Sequence, residues 1–101
     1  MNLPDPPTAI FALSDEAGAG ALYALNEMNI KVPDQVSLAA FGDITHSKEI
    51  WPGISVVKYP LEKIVDHSVC MLIDLVEGRQ PEERQLIFPT HIIQRGSIRS
   101  I

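Results

Sequence analysis

Two nearly continuous apolar runs of strand length, Thr8–Leu13 and Val36–Phe41, flank a segment whose apolar residues recur at helical spacing. No other feature of the chain restricts its fold as much. Continuous apolar runs are what strands buried on both faces require, the usual state of a parallel sheet. Two strands joined through a helix are expected to run parallel, with a right-handed crossover. The predicted fold class is therefore α/β, with a parallel-sheet lobe.

The chemistry of the connecting helix is legible at both ends. Ser14 suits the N-cap, because its hydroxyl can accept from an otherwise unpaired backbone N–H. Asp15 and Glu16 place negative charge in the first turn, where the helix dipole favours it. At 100° per residue Ala17, Ala21, Leu22, Ala24, Leu25 and Met28 gather on one face, the predicted core side. Asn29 suits the left-handed position after the helix, and Pro33 blocks continuation. After the turn signal Pro52-Gly53, Ile54–Tyr59 reads as a third strand. Pro60 opens a second helix that runs to Glu77 and stops at Gly78. Leu61, Ile64, Val65, Ser68, Val69, Leu72, Leu75 and Val76 form its predicted core stripe, with Asp66, Cys70, Asp74 and Glu77 on the other side. Gln85–Phe88 and His91–Gln94 read as two further short strands, separated at Pro89.

Charge narrows the function. The chain has 101 residues and a formal net charge of −5, from thirteen acids and eight Lys and Arg. Nucleic-acid binding draws most of its affinity from basic residues that neutralise phosphates, and the nearest thing to a basic cluster is the pair Arg95 and Arg99. Direct DNA binding by this segment is not expected. The single cysteine, Cys70, excludes an intrachain disulfide and fits a reducing compartment. The opening Met1-Asn-Leu-Pro-Asp-Pro-Pro7 lacks the basic and apolar regions of a secretory signal. No apolar run approaches the roughly 20 residues of a membrane span. A cytoplasmic location is expected.

Catalytic signals are absent. His46, His67 and His91 share no metal-ligand spacing with one another or with Cys70. The Gly18-Ala-Gly20 pair lies inside a helix rather than in the strand-to-helix turn that dinucleotide binding needs. No metal, cofactor or enzymatic activity is expected. In open α/β sheets, ligands bind beyond the C-terminal ends of the parallel strands. Those ends are Ser14-Asp15, Gly42-Asp43 and Tyr59-Pro60, which makes Ser14, Asp15, Gly42, Asp43 and Tyr59 the candidate ligand residues. Ser is equally a routine cap and Gly-Asp a routine turn, so spacing alone leaves both readings open.

Order of motifs then becomes informative. Pro7-Thr-Ala-Ile-Phe-Ala-Leu-Ser-Asp-Glu-Ala-Gly-Ala-Gly-Ala-Leu22 resembles the P-T-A-I-F-x-x-N-D-x-x-A-x-G-A-L segment of LacI/GalR-type transcription regulators. Ile30-Lys-Val-Pro-Asp-Gln-Val-Ser-Leu-Ala-Ala-Phe-Gly-Asp43 resembles their I-x-V-P-x-D-V-S-V-V-G-F-D-D. Pro52-Gly-Ile-Ser-Val-Val-Lys-Tyr-Pro60 is similar to P-x-L-T-T-V-x-Q-P, and Glu77-Gly-Arg79 and Arg95-Gly-Ser97 complete the series. The resemblance covers almost the whole chain and corresponds to the final part of such a regulator.

It implies a two-lobed fold like that of periplasmic sugar-binding proteins, with a small-molecule effector between the lobes and a homodimer as the working form. Residues 1–59 and about 90–101 would belong to the C-terminal lobe, about 60–89 to the N-terminal lobe, and DNA contact to a helix-turn-helix domain outside this chain. Ala19, Leu22, Tyr23, His46, Ile50 and Trp51 are the expected dimer contacts, since an outward Tyr beside apolar residues also suits a subunit interface. Where the family pattern carries Asn, Asp and Gln toward a sugar, this chain has Ser14, Gly42 and Tyr59, so a simple sugar is not the expected effector. Two alternatives share the pattern's coarse features: a periplasmic solute receptor of the same fold, and a doubly wound enzyme.

Overall fold

The structure, a computed structural model, describes residues 1–43, 49–82 and 84–101. These gather into two compact units, Met1–Lys58 with His91–Ile101, and Tyr59–Thr90.

The first unit is a four-stranded sheet with strands β1 (Ala9–Ala12), β2 (Ser37–Phe41), β3 (Ser55–Lys58) and β4 (His91–Ile93) in that spatial order. β1, β2 and β3 run parallel, and β4 pairs antiparallel with β3. Helix α1 (Asp15–Glu27) joins β1 to β2, which bears out the predicted parallel α/β lobe. Ser14 caps α1 by accepting from Ala17 N at 3.0 Å. At the other end Asn29 takes a left-handed φ of 58°, which Asn tolerates better than most residues.

The core lies between α1 and one face of the sheet. Leu22, Leu38, Ala40, Ile54 and Val56 form its buried cluster, with Ile10, Ala12, Ala19, Ala21 and Ile93 packed around it. The helix face differs from the predicted one by part of a turn. Its buried residues are Asp15, Gly18, Leu22 and Leu25, whereas Ala17, Ala24 and Met28 are exposed. Gly18 explains the rotation, because a Cβ there would lie 3.0 Å from Ala40 Cβ. The helix approaches the sheet most closely along its glycine, and hydropathy alone does not rank glycine as a core residue.

The expectation of strands buried on both faces is corrected. The strand register places Phe11, Ala39, Phe41, Val57 and Ile92 on the sheet face away from α1, and Phe11, Phe41 and Ile92 are exposed. Among the described residues α1 is the helix that packs against this sheet, and the other face is covered only in part, with Ser55 buried beside Arg95.

The second unit is built on helix α2 (Leu61–Val76), followed by Gly78 at φ 77°. No residue of α2 is buried. The predicted core stripe is therefore largely exposed in this chain, with Ile64 half-buried, because unit 2 supplies little surface to cover it. Gln85–Phe88, expected as a strand, forms none. A strand needs a neighbouring edge for its backbone, and the chain reaches one only at His91, where β4 meets β3. Phe88 instead meets the ring of His67 edge to face, 5.3 Å between centroids.

The two glycines of α1 offer a test of this packing. Gly20 has open space around it, so Gly20→Ala should stabilise by about 0.5–1 kcal/mol through helix propensity. Gly18→Ala gains the same propensity but overpacks against Ala40 and Ala12, which costs about 1–3 kcal/mol. Urea denaturation should move the two midpoints in opposite directions; a matched increase would show that the close approach is absent.

Candidate functional site

Because β1 and β2 are neighbouring parallel strands, with Ala12 opposite Ala40, the residues that follow them leave the same edge of the sheet. Ser14-Asp15 and Gly42-Asp43 are thereby brought to adjacent strand ends. Tyr59 follows β3 and is the first residue of the second unit.

The polar groups at these strand ends already have internal work. The Ser14 hydroxyl oxygen holds the helix cap, and Asp15 is buried at the start of α1. Gly42 donates its N–H to Val57 O at 2.7 Å. Its φ of 94° is a conformation that costs an L side chain about 1–3 kcal/mol. An aspartate at this position, as the family pattern has it, would strain this backbone.

Asp43 is held by two cations. Its carboxylate accepts a fork from Arg95, with Nη1 at 3.3 Å from Oδ1 and Nη2 at 3.0 Å from Oδ2. Lys58 Nζ lies 3.9 Å from Oδ2. The guanidinium also donates to Ile54 O at 2.9 Å. Both side chains of the fork are largely buried, at 12% exposure for Asp43 and 14% for Arg95.

In the sequence Arg95 is a charge in the tail and the start of the Arg95-Gly-Ser97 motif, and neither predicts its pairing with Asp43. The residues are 52 positions apart, and no local pattern pairs them; the Arg95-Gly-Ser97 motif was the available signal. That motif is stitched into the sheet throughout. Arg95 N donates to Ser55 Oγ at 2.9 Å, and Ser55 N donates to Ser97 Oγ at 2.8 Å. Ser97 Oγ donates to Leu38 O. A Cβ on Gly96 would fall 2.5 Å from Pro52 O, so only glycine fits between those two serine contacts.

The expected dimer contacts divide. Tyr23 and Trp51 are exposed, at 69% and 88%. Leu22 is 1% exposed and belongs to the core cluster, so it cannot offer a side chain to a partner; of its two expected roles, core residue and dimer contact, it holds the first. Ala19 and Ile50 are half-buried and pack against the core, and His46 lies outside the described residues. A cavity of about 520 Å³ next to Trp51 is lined by Asn26, Lys31, Pro33, Asp34 and Pro52, among others. Among the described residues no three His, Cys, Asp or Glu are grouped to hold a metal ion, and no helix is long and apolar enough to cross a membrane.

A mainly parallel α/β sheet, with polar groups at its strand ends and a chain that leaves into a second unit and returns as the edge strand, is the architecture of a ligand-binding lobe. The chain belongs to the periplasmic binding protein-like domain family, whose pattern matches residues 1–98. It is 34% identical, over all 101 residues, to a probable HTH-type transcriptional repressor, ExuR, of Bacillus subtilis (strain 168). It spans 30% of that relative's length. The Escherichia coli transcriptional repressor ascG superposes with a TM-score of 0.76 at 30% identity, over 92% of this chain and 34% of that one. The transcriptional regulator CelR, solved in complex with cellobiose, gives 0.81 at 30% identity, over 89% and 28%. The resemblance to LacI/GalR-type regulators is thus borne out, and these relatives are transcriptional regulators rather than enzymes.

Proposed function

We propose that this chain is the effector-binding and dimer-forming portion of a LacI/GalR-type transcription regulator that acts in the cytoplasm. The observation that carries the reading is its alignment along its whole length with a repressor three times as long. In this reading residues 1–59 and about 90–101 belong to one lobe and about 60–89 to the other. The candidate effector residues are those that follow the parallel strands: Ser14, Asp15, Gly42, Asp43 and Tyr59. Effector binding shifts a two-state arrangement of the lobes, which a DNA-binding domain reads as altered spacing. Tyr23 and Trp51 are the residues best exposed to serve a two-fold contact between identical chains. The net charge of −5 assigns DNA contact to another part of the protein.

The effector we infer is less hydroxylated than a sugar, and more aromatic. Each buried hydroxyl left without a partner costs about 1–3 kcal/mol. Gly42 has no side chain to offer, Ser14 Oγ already spends one acceptor site on its helix cap, and Asp43 faces Arg95. Tyr59 suits a ring instead, by stacking and by its phenol. Two lost partners weaken a micromolar site to about millimolar, at about 1.4 kcal/mol per tenfold. Calorimetry with a panel of mono- and disaccharides, cellobiose included, should give no measurable binding to this chain or to the longer regulator. Micromolar binding of any simple sugar would overturn this reading of the site.

A further inference from the structure

We propose that Asp43 is a positioning residue that ties the strand-end loop after β2 to the end of β3 and to the segment that follows β4, the two strands through which the chain leaves for and returns from the second unit. This deepens the effector-binding reading, and rests on it only for the purpose the tie would serve.

The geometry is specific to the two connecting strands. β3 ends at Lys58, and Tyr59 begins the second unit; the second unit ends at Thr90, and β4 begins at His91. Asp43 carries one cation from each side of that passage. Lys58 is the last residue of β3, and Arg95 lies two residues past the end of β4. The Arg95 end is a fixed point, because its main-chain N–H is held by Ser55 Oγ and its guanidinium by Ile54 O. Charge-assisted forks of this kind are short, directional and stronger than neutral hydrogen bonds. Gly42, the preceding residue, is also bound to β3 through Val57 O. A molecule that displaces the Gly42-Asp43 loop must therefore move the carboxylate, and with it its contacts to the end of β3 and to the segment that follows β4. Both carboxylate oxygens face cations, which suits holding a loop in place better than receiving ligand hydroxyls.

Hydrogen exchange on the whole chain tests the proposal with Asp43→Asn, which keeps the shape and removes the charge. Exchange in Val57–Tyr59 and His91–Gln94 is expected to speed up by about tenfold, while Ile10–Ala12 changes by less than about twofold. Arg95→Lys keeps a positive charge and loses the fork. It should give the same pattern at smaller size, and it decides the matter if Asp43→Asn fails to fold. Equal acceleration of all strands, the signature of a merely structural pair, would overturn the proposal, as would unchanged connecting strands. No effector enters the measurement. Failure here leaves the effector reading standing, and sugar binding in the calorimetry leaves this tie standing.

Discussion

Ser97→Ala is expected to cost the first unit about 2–6 kcal/mol, because it strands two polar groups at once and each costs about 1–3 kcal/mol when buried and unpaired. Ser97 is fully buried. Its hydroxyl accepts from Ser55 N and donates to Leu38 O, so one side chain joins the tail to β2 and to β3. The backbone bond from Leu38 N to Ser97 O at 2.8 Å survives the substitution, which keeps the loss below that of deleting the tail. Ser100 is exposed, and Ser100→Ala should stay within about 0.5 kcal/mol. A domain of this size has only about 5–15 kcal/mol in total, so the difference should be plain in urea denaturation. Equal midpoints for the two variants would show that the stitch contributes nothing.

Leu38→Ala and Leu72→Ala should differ by a similar amount although both delete the same atoms. Leu38 is fully buried between β2 and α1, and Leu72 on α2 is 61% exposed. Emptying a buried leucine site costs about 3–5 kcal/mol through lost transfer energy and a residual cavity. The exposed site should cost less than about 0.5 kcal/mol in this chain. In the longer regulator proposed for this chain the stripe of α2 is expected to be covered, and Leu72→Ala should then approach the cost of a core substitution. Circular dichroism is the suitable probe, since Trp51 is already 88% exposed and its emission has little solvent exposure left to gain. A core-sized loss for Leu72→Ala in this chain would mean that α2 is covered here after all.

These contrasts mark how far pattern reading reaches. Element type was legible where one local rule governs: Ser14 capping a helix, Asn29 and Gly78 ending helices at positive φ, and apolar runs forming β1, β2 and β3. Each depends on residues within about one helical turn, so the cause lies inside the window being read. The failures are of another kind. Gln85–Phe88 has strand-like composition but no neighbouring edge, and the α2 stripe has helical periodicity but little opposing surface. Periodicity states which face seeks burial; it does not supply the partner that buries it.

The candidate site divides along the same line. From the sequence alone came the strand ends that gather Ser14-Asp15 and Gly42-Asp43, the family to which the chain belongs, and a charge unsuited to DNA. Only the tertiary structure decided that Gly18 rather than Ala17 meets the sheet, that Leu22 is buried too deeply to serve as a contact as well, and that Asp43 faces Arg95 across 52 residues of chain. Propensity, capping and turn chemistry act between near neighbours and leave their mark in short motifs. Ion pairs and close packing act between whichever groups the fold brings together, so their partners become visible only once the strands have taken their places.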